Sequence, residues 1–216
     1  SVLGLLPISV GDLLYFLAGL WLMLTVVKWA KYLYKWRESK IKLVGSVLGA
    51  LNVLLLVYLL FMVGWGVHYY KPPLAKVWGL EQPHYNNDDE RKQALKNELD
   101  SYTQLLAGKL NEYAPQYKRM GMAEINDSAV SYYRRYTNSS VNGYGLGIKL
   151  SIYGKLMQRM AVDGYYNPFT GEGQVTRQLP EYMMPFTLCH EMAHQAGIAA
   201  EGDANLLAYA ISTTTN

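Results

Sequence analysis

Cysteine is almost absent from this chain. The 216 residues include a single cysteine, Cys189, so no disulfide can form within the chain and its folded parts must rely on core packing. Its neighbour His190 does not make it a metal ligand, because adjacent helical side chains point about 100° apart. We expect Cys189 to be a small, buried apolar side chain.

Charge is missing from two long stretches near the start. Residues 10–27 carry only Asp12, and residues 43–67 carry no charged side chain at all. A run of about 20 apolar residues is long enough to cross the hydrocarbon core of a bilayer as a helix. The sequence therefore predicts two transmembrane helices, at about 10–30 and 43–68.

Basic residues are concentrated between these two runs. Segment 28–42 has one acid, Glu38, against six basic residues: Lys28, Lys31, Lys35, Arg37, Lys40 and Lys42. Basic loops stay in the cytoplasm, so we expect 28–42 to be a cytoplasmic loop. Residues 1–70 would then be a membrane anchor in contact with lipid, and residues 71–216 an extracytoplasmic domain.

The expected outer domain carries almost no net charge. Residues 69–216 contain fourteen Lys and Arg against fifteen Asp and Glu. Proteins that bind nucleic acid present a clear excess of basic residues, so nothing here indicates a nucleic-acid partner.

Histidine is scarce, and its placement is informative. Two of the four histidines, His190 and His194, stand four positions apart in His-Glu-Met-Ala-His. On a helix they lie on one face, one turn apart, where both can reach one metal ion. Glu191 would project beside the open side of that metal and take a proton from a bound water. This HExxH spacing is typical of zinc peptidases and predicts bound Zn²⁺, with Glu191 as the catalytic base.

A third ligand is expected shortly after the motif. Gly197 is well placed to end the helix in a left-handed conformation, and a sharp turn there can fold the next helix back toward the metal. Glu201 is the expected third ligand and Asp203 its rival, because two helical steps turn the second residue nearly to the opposite side. Both acids alternatively serve only to cap the second helix at its N-terminus.

The rest of the outer region predicts an α-rich α+β fold. A capping box at Asn87 to Glu90 opens a long amphipathic helix with a Leu/Tyr stripe, and a shorter helix covers 129–136. Residues 146–153 predict a short strand followed by a helical turn. Residues 173–177 predict an extended edge bordering the cleft, and Glu172 before them is expected to be a turn carboxylate.

Several segments together resemble a known group of proteins. These are Trp65 to Leu74, Gly164 to Val175, His190 to Gly197, and Glu201 to Asn205. They resemble an uncharacterised family of bacterial two-span membrane proteins of the zincin type. The resemblance implies a zincin-like metallopeptidase domain behind two transmembrane helices, with a small edge sheet and an HExxH helix, in the bacterial cytoplasmic membrane.

The last of these segments also resembles a motif of the gluzincin peptidases. Their Glu-x-x-Ala-Asp reads here as Glu201 to Asn205, which implies Glu201 as a ligand and Asn205 as the residue that supports the first histidine ligand. Asn replaces Asp, so the supporting charge is missing, and only six residues separate His194 from Glu201. The resemblance supports metal binding more firmly than catalysis, because the family it points to has no established substrate. The chain stops soon after, at Asn216, and we expect the domain to be incomplete at its C-terminal side.

Two functions remain open from the sequence. The first is a membrane-anchored zinc metallopeptidase that cleaves a peptide or protein substrate outside the cytoplasm. The second is a non-catalytic membrane protein whose metal site only stabilises the fold, or which binds a partner or a cell-wall component. An open fourth coordination position on the metal favours the first, and a closed one the second.

Overall fold

The computed structural model of the chain describes residues 8–80, 84–113, 120–136 and 146–213, without the side chains of residues 110, 113 and 136. These residues belong to two compact units. The larger runs to Pro73 and resumes at Met122, and the smaller is Leu74–Gly121. The boundary expected at residue 70 separates a membrane anchor from an outer domain, whereas these two units are defined by compact packing. The expected boundary therefore stays a prediction.

Two long helices open the larger unit. Helix α1 spans Val10–Tyr34 and helix α2 spans Trp36–Gly64. Both are long and apolar enough to cross a membrane. Ser9 caps α1, because its Oγ accepts a hydrogen bond from the backbone N–H of Asp12 at 3.0 Å. A short 3-10 helix, Gly66–Tyr70, follows α2.

The basic segment 28–42 is helical rather than an irregular loop, and its expected place in the cytoplasm stays a prediction. Only Lys35 separates α1 from α2. The segment contains neither Gly nor Pro, and its Lys, Arg and Glu residues are good helix formers. Charge on this segment therefore does not interrupt the helices.

The described residues of the smaller unit form two helices, α3 (Leu74–Val77) and α4 (Asp88–Tyr113). The predicted cap is confirmed, since the N–H of Glu90 donates to Asn87 Oδ1 at 2.8 Å. An amphipathic stripe like the one on α4 predicts a buried face, but at its described positions the stripe is exposed: Leu95, Leu99, Tyr102 and Leu106. Four residues of α3 offer a 26-residue helix little to pack against.

A three-stranded sheet lies in the larger unit. Its strands are β1 (Ile148–Leu150), β2 (Gly164–Asn167) and β3 (Glu172–Val175), in the order β1-β3-β2. Strand β3 pairs with β1 in parallel and with β2 in antiparallel orientation. The strand and helical turn predicted after residue 146 are confirmed as β1 and α6 (Gly154–Arg159).

The edge strand was assigned wrongly from the sequence. Residues 173–175 are extended as expected, but they belong to β3, which is buried and bonded on both sides. Gly173 leaves room for the side chain of Ile148 on β1, since a Cβ at position 173 would lie 2.6 Å from Ile148 Cδ1. The edge beside the HExxH helix is β2.

Three helices complete the core on one face of the sheet. They are α5 (Met122–Tyr136), α7 (Met184–Gln195) and α8 (Glu201–Ser212). Helix α7 packs on the sheet, with α5 and α8 against it. Helix α5 begins seven residues earlier than expected. Its buried Tyr133 donates to the carbonyl of Cys189 at 2.5 Å, and Cys189 is buried as predicted.

The start of α1 is docked on the opposite face. Glu172 accepts hydrogen bonds from the N–H of Gly11 and from Lys149 Nζ, both at 2.7 Å. Asp12 is buried and accepts from the N–H of Ile152 at 2.8 Å and from the Tyr165 hydroxyl. Glu172 is thus an anchor for α1 rather than a turn carboxylate.

Candidate metal centre

Helix α7 carries the two histidines as expected. Pro185 lies in its first turn, where the absence of an N–H costs nothing. His190 and His194 are one turn apart, and their Nε2 atoms are separated by 3.1 Å. Both side chains therefore present the same ring nitrogen to one point.

Gly197 ends this helix in the predicted left-handed conformation. Its φ is +86°, and its N–H bonds to the carbonyl of His194 at 2.8 Å. The N–H of Ile198 bonds to the carbonyl of Ala193 at 3.1 Å, which completes a Schellman motif. The chain reverses so tightly that the Ile198 carbonyl accepts a hydrogen bond from His194 Nδ1 at 2.7 Å. This bond places the proton on Nδ1 and leaves the Nε2 lone pair free for a metal.

The same reversal brings the first residue of α8 back to the histidines. Glu201 Oε2 lies 3.2 Å from His190 Nε2, and Oε1 lies 3.6 Å from His194 Nε2. The three side chains offer ligand atoms that all lie within 4.8 Å of one another. Since 74% of the Glu201 side chain is exposed, this carboxylate forms the open side of the cluster. Residue 200, the N-cap, is an alanine and gives α8 no side-chain cap.

The two remaining candidates from the sequence, Asp203 and Asn205, are not part of the ligand cluster formed by the described residues. Burial and the neighbouring His194 lower the pKa of His190, while Glu201 and Asn205 oppose that shift. Asn205 is thus close enough to His190 to affect its pKa, and its supporting role stays a prediction. Within the described part of the chain, His190 Nδ1 is buried and makes no hydrogen bond.

Glu191 is buried between the cluster and the sheet. Its carboxylate lies against Gly164, where a Cβ would come within 2.6 Å of Oε1. The other oxygen, Oε2, is buried and has no hydrogen-bond partner among the described residues. Burial and, secondarily, the charge of Glu201 raise the pKa of Glu191 to about 8. A buried carboxylate oxygen without a partner is costly unless a bound molecule completes it.

A cleft of about 390 Å³ is lined by the side chains of His190, Glu191, His194 and Glu201. One of its walls is β2, and another is the end of α2 with Phe61 and Trp65. The ring centroid of Trp65 lies 4.6 Å from that of Tyr166 and 6.4 Å from that of His194. Sequence reasoning found no role for Trp65 or Gly164, because their closeness to α7 depends on contacts between distant parts of the chain.

His68 lies near the cleft but is outside the cluster of described ligand residues. Its ring lies 5.0 Å from that of Trp65, and a Cβ on Gly197 would lie 3.3 Å from it. Lys71 Nζ donates to the Gly197 carbonyl at 2.8 Å. These two residues hold the turn that shapes the cluster, so the segment after α2 supports the centre without contributing a ligand.

Comparison with known proteins gives one match, to a family rather than to an individual protein. Residues 1–216 match the family described as "Protein of unknown function (DUF3810)". No curated protein shows significant similarity to the chain, and neither does any solved structure. Because the family model covers the entire sequence, the chain belongs to the DUF3810 family.

Proposed function

We propose that this protein is a membrane-anchored zinc metallopeptidase that hydrolyses peptide bonds outside the cytoplasm. One observation carries the proposal: three ligand atoms converge beside a buried carboxylate oxygen that has no partner among the described residues. The ligands are His190, His194 and Glu201, and the carboxylate is that of Glu191.

The spacing of the ligand atoms fits zinc. Bonds of about 2.0–2.1 Å at tetrahedral angles set ligand atoms about 3.3–3.4 Å apart. The two Nε2 atoms are 3.1 Å apart, and the Glu201 carboxylate lies 3.2 Å from one of them through Oε2 and 3.6 Å from the other through Oε1. Two imidazoles and one carboxylate are the ligand set of catalytic zinc sites, which leave the fourth position to water.

Bound zinc would supply Lewis-acid polarisation of the scissile carbonyl and a water with a pKa near 7. Glu191 would accept the proton of that water on its unpartnered Oε2 and deliver it to the leaving amine. The Ile198 carbonyl would orient His194 through the hydrogen bond at Nδ1.

One edge of β2 pairs with no other described strand, and this edge is suited to bind an extended peptide. The carbonyl of Asp163 accepts from the N–H of Thr176 at 3.0 Å, which sets the alternation of the antiparallel ladder. Tyr165 and Asn167 therefore bond to β3, while Gly164 and Tyr166 direct their backbone groups away from it. Because Gly164 and Tyr166 also line the cleft, a substrate strand added here would pass the proposed zinc.

Membrane placement follows from the first two helices. Six basic residues cluster where α1 and α2 meet, which favours a cytoplasmic position for that end. The cleft lies at the opposite end of α2, next to Phe61 and Trp65. The peptidase centre would therefore stand at the outer surface of the cytoplasmic membrane.

The decisive test compares wild type with Glu191→Gln at equal zinc content, using the full chain and a peptide library. We expect Glu191→Gln to keep zinc and to lose about a hundred- to ten-thousand-fold in cleavage rate, because the proton acceptor is gone. Glu124→Gln, at an exposed site on α5, is the matched control. Equal cleavage by wild type and Glu191→Gln would assign the activity to something else. Zinc bound by four protein ligands with no cleavage would instead favour the structural role.

A further inference from the structure

An apolar groove lies between α1 and the segment that contains α6. Its volume is about 820 Å³. One wall is formed by α1 between Tyr15 and Met23, and the other by Leu156, Met157 and Met160. Gly19 opens the first wall, since it has no side chain and nothing lies within 4 Å of the position its Cβ would take.

The groove lies beside a helix long and apolar enough to span a membrane. From Tyr15 to Met23 the helix rises about 12 Å, close to one leaflet of a hydrocarbon core about 30 Å thick. Leu156 and Met160 on the facing wall are exposed, 55% and 65% respectively. Apolar side chains this exposed alongside a membrane span indicate that the groove opens to lipid hydrocarbon.

The groove and the metal cleft share a wall. Tyr165 and Tyr166 line both, and they are consecutive residues of β2. Their side chains point to opposite faces of the sheet: Tyr165 toward Asp12 on α1, and Tyr166 toward Trp65 and His194. One molecule that crosses β2 would therefore have an apolar part in the groove and a polar part in the cleft.

We propose that the groove holds the long alkyl chain of an acylated peptide, so that the substrates of this protein are lipid-anchored peptides. The inference rests on the proposed peptidase function and names its substrate class. Burial of the chain along α1 would hold the peptide beside β2, next to His190 and Glu191.

Charge favours an acylated peptide over a phospholipid. The described residues that line the groove and the cleft include neither Lys nor Arg. Glu191 and Glu201 line the cleft, and the carboxylate of Asp12 lies behind Tyr165. A phosphate headgroup would find no basic side chain on these walls, whereas the neutral amide link of an acylated peptide needs none.

Size suits an alkyl chain. The groove offers about 820 Å³, which is ample for a single chain.

The test is photolabelling of the full-length Glu191→Gln protein in detergent micelles, so that no probe is cut. The probe is a synthetic peptide with an N-terminal palmitoyl chain that carries a diazirine. We expect saturable labelling of Met157 and Met160, competed by the unlabelled acylated peptide and not by the same peptide without its acyl chain. Labelling by lipids that merely surround the helices would not saturate.

Two groove variants and one control make the result specific. Gly19→Phe fills the groove from α1 and Met160→Trp narrows it from the other side, so each should raise the half-saturating concentration roughly tenfold or more. Gly49→Phe on α2 is the matched control, because a side chain there also meets nothing within 4 Å and the residue does not line the groove. Equal labelling of the control and both groove variants would overturn the proposal.

Two further outcomes would also overturn it. Equal or tighter saturable labelling by a phosphatidylglycerol with the same diazirine chain would make the groove a phospholipid site. Competition by the peptide without its acyl chain would remove the role of the alkyl chain. Because the readout is binding to Glu191→Gln, these failures are distinct from failure of the peptidase, which appears only as absence of cleavage by wild type.

Discussion

Gly164 leaves the space that the carboxylate of Glu191 occupies. A Cβ at position 164 would lie 2.6 Å from Glu191 Oε1 and 3.0 Å from Glu191 Cγ and the carbonyl of Gln174. The first strand residue beside the cleft must therefore be glycine if the glutamate is to stay between the sheet and the metal ligands. This relationship joins an edge strand to the HExxH helix through one side chain.

Gly164→Ala should impair cleavage without removing zinc. The added methyl group would force the Glu191 carboxylate out of place, and a displacement of about 1 Å can cost about a hundredfold in rate. Gly202→Ala is the control, because a Cβ there meets nothing within 4 Å. Zinc content and peptide cleavage are measured for both; unchanged cleavage in Gly164→Ala would show that Glu191 does not need this position.

Cys189 should be inert toward alkylating reagents in the folded protein. Burial raises the pKa of its thiol to about 12, so at pH 8 the thiolate fraction is about one in ten thousand. The same thiol in the unfolded chain has a pKa of about 8.5, and should react roughly a thousandfold faster. Mass spectrometry of iodoacetamide-treated native and denatured protein measures the difference, and rapid native labelling would contradict the burial.

The inert native cysteine permits a test of membrane orientation. Introduced cysteines at exposed positions, Arg135→Cys on α5 and Lys40→Cys between the apolar runs, report the two sides. We expect a membrane-impermeant maleimide to label Arg135→Cys in intact cells and Lys40→Cys only after lysis, because the basic segment stays inside. The reverse pattern would place the metal centre in the cytoplasm.

The docking of α1 should weaken in acid. Burial alone would raise the pKa of Glu172, but hydrogen bonds from Lys149, Gly11, Val10 and Thr170 together lower it below its ordinary 4.5. A carboxylate with a lowered folded pKa contributes stability above its unfolded pKa, and this is lost as the pH falls through the folded value. The stability gap between wild type and Glu172→Gln should therefore be present at pH 7 and shrink below pH 4.5.

Thermal melts of the full chain in detergent micelles at a series of pH values measure this gap. Glu124→Gln, at an exposed position, controls for the loss of one carboxylate. A gap that is constant from pH 7 to about pH 3 would show that the Glu172 contacts do not contribute through its charge.

The local parts of this account were predictable from the sequence. The i, i+4 spacing brings His190 and His194 together, and Gly197 adopts the φ of +86° that its position at the helix end predicts. Glu201 comes close to both histidines because the turn between α7 and α8 is short. Each of these depends on neighbours within about a dozen residues, where spacing and backbone preference decide the geometry.

The non-local parts were not predictable in the same way. Asp12 meets Ile152, 140 positions away, and Glu172 meets Gly11 across 161. The order of strands in a sheet depends on which distant segments pair with each other. The local sequence of an extended segment such as 173–175 does not show whether it lies at the edge or in the centre of the sheet. For this reason the sequence predicts an edge strand where β3 is central, and it gives no sign that Gly164 lies beside Glu191.

Zinc content of the purified full-length protein tests the central claim most directly. We expect about one zinc per chain in wild type and in Asp203→Ala, loss of zinc in His190→Ala and His194→Ala, and weakened binding in Glu201→Ala, since two imidazoles and a carboxylate supply the protein ligands of such sites. If Asp203→Ala loses the metal while Glu201→Ala keeps it, or if wild type binds no zinc, the metal centre described here is wrong.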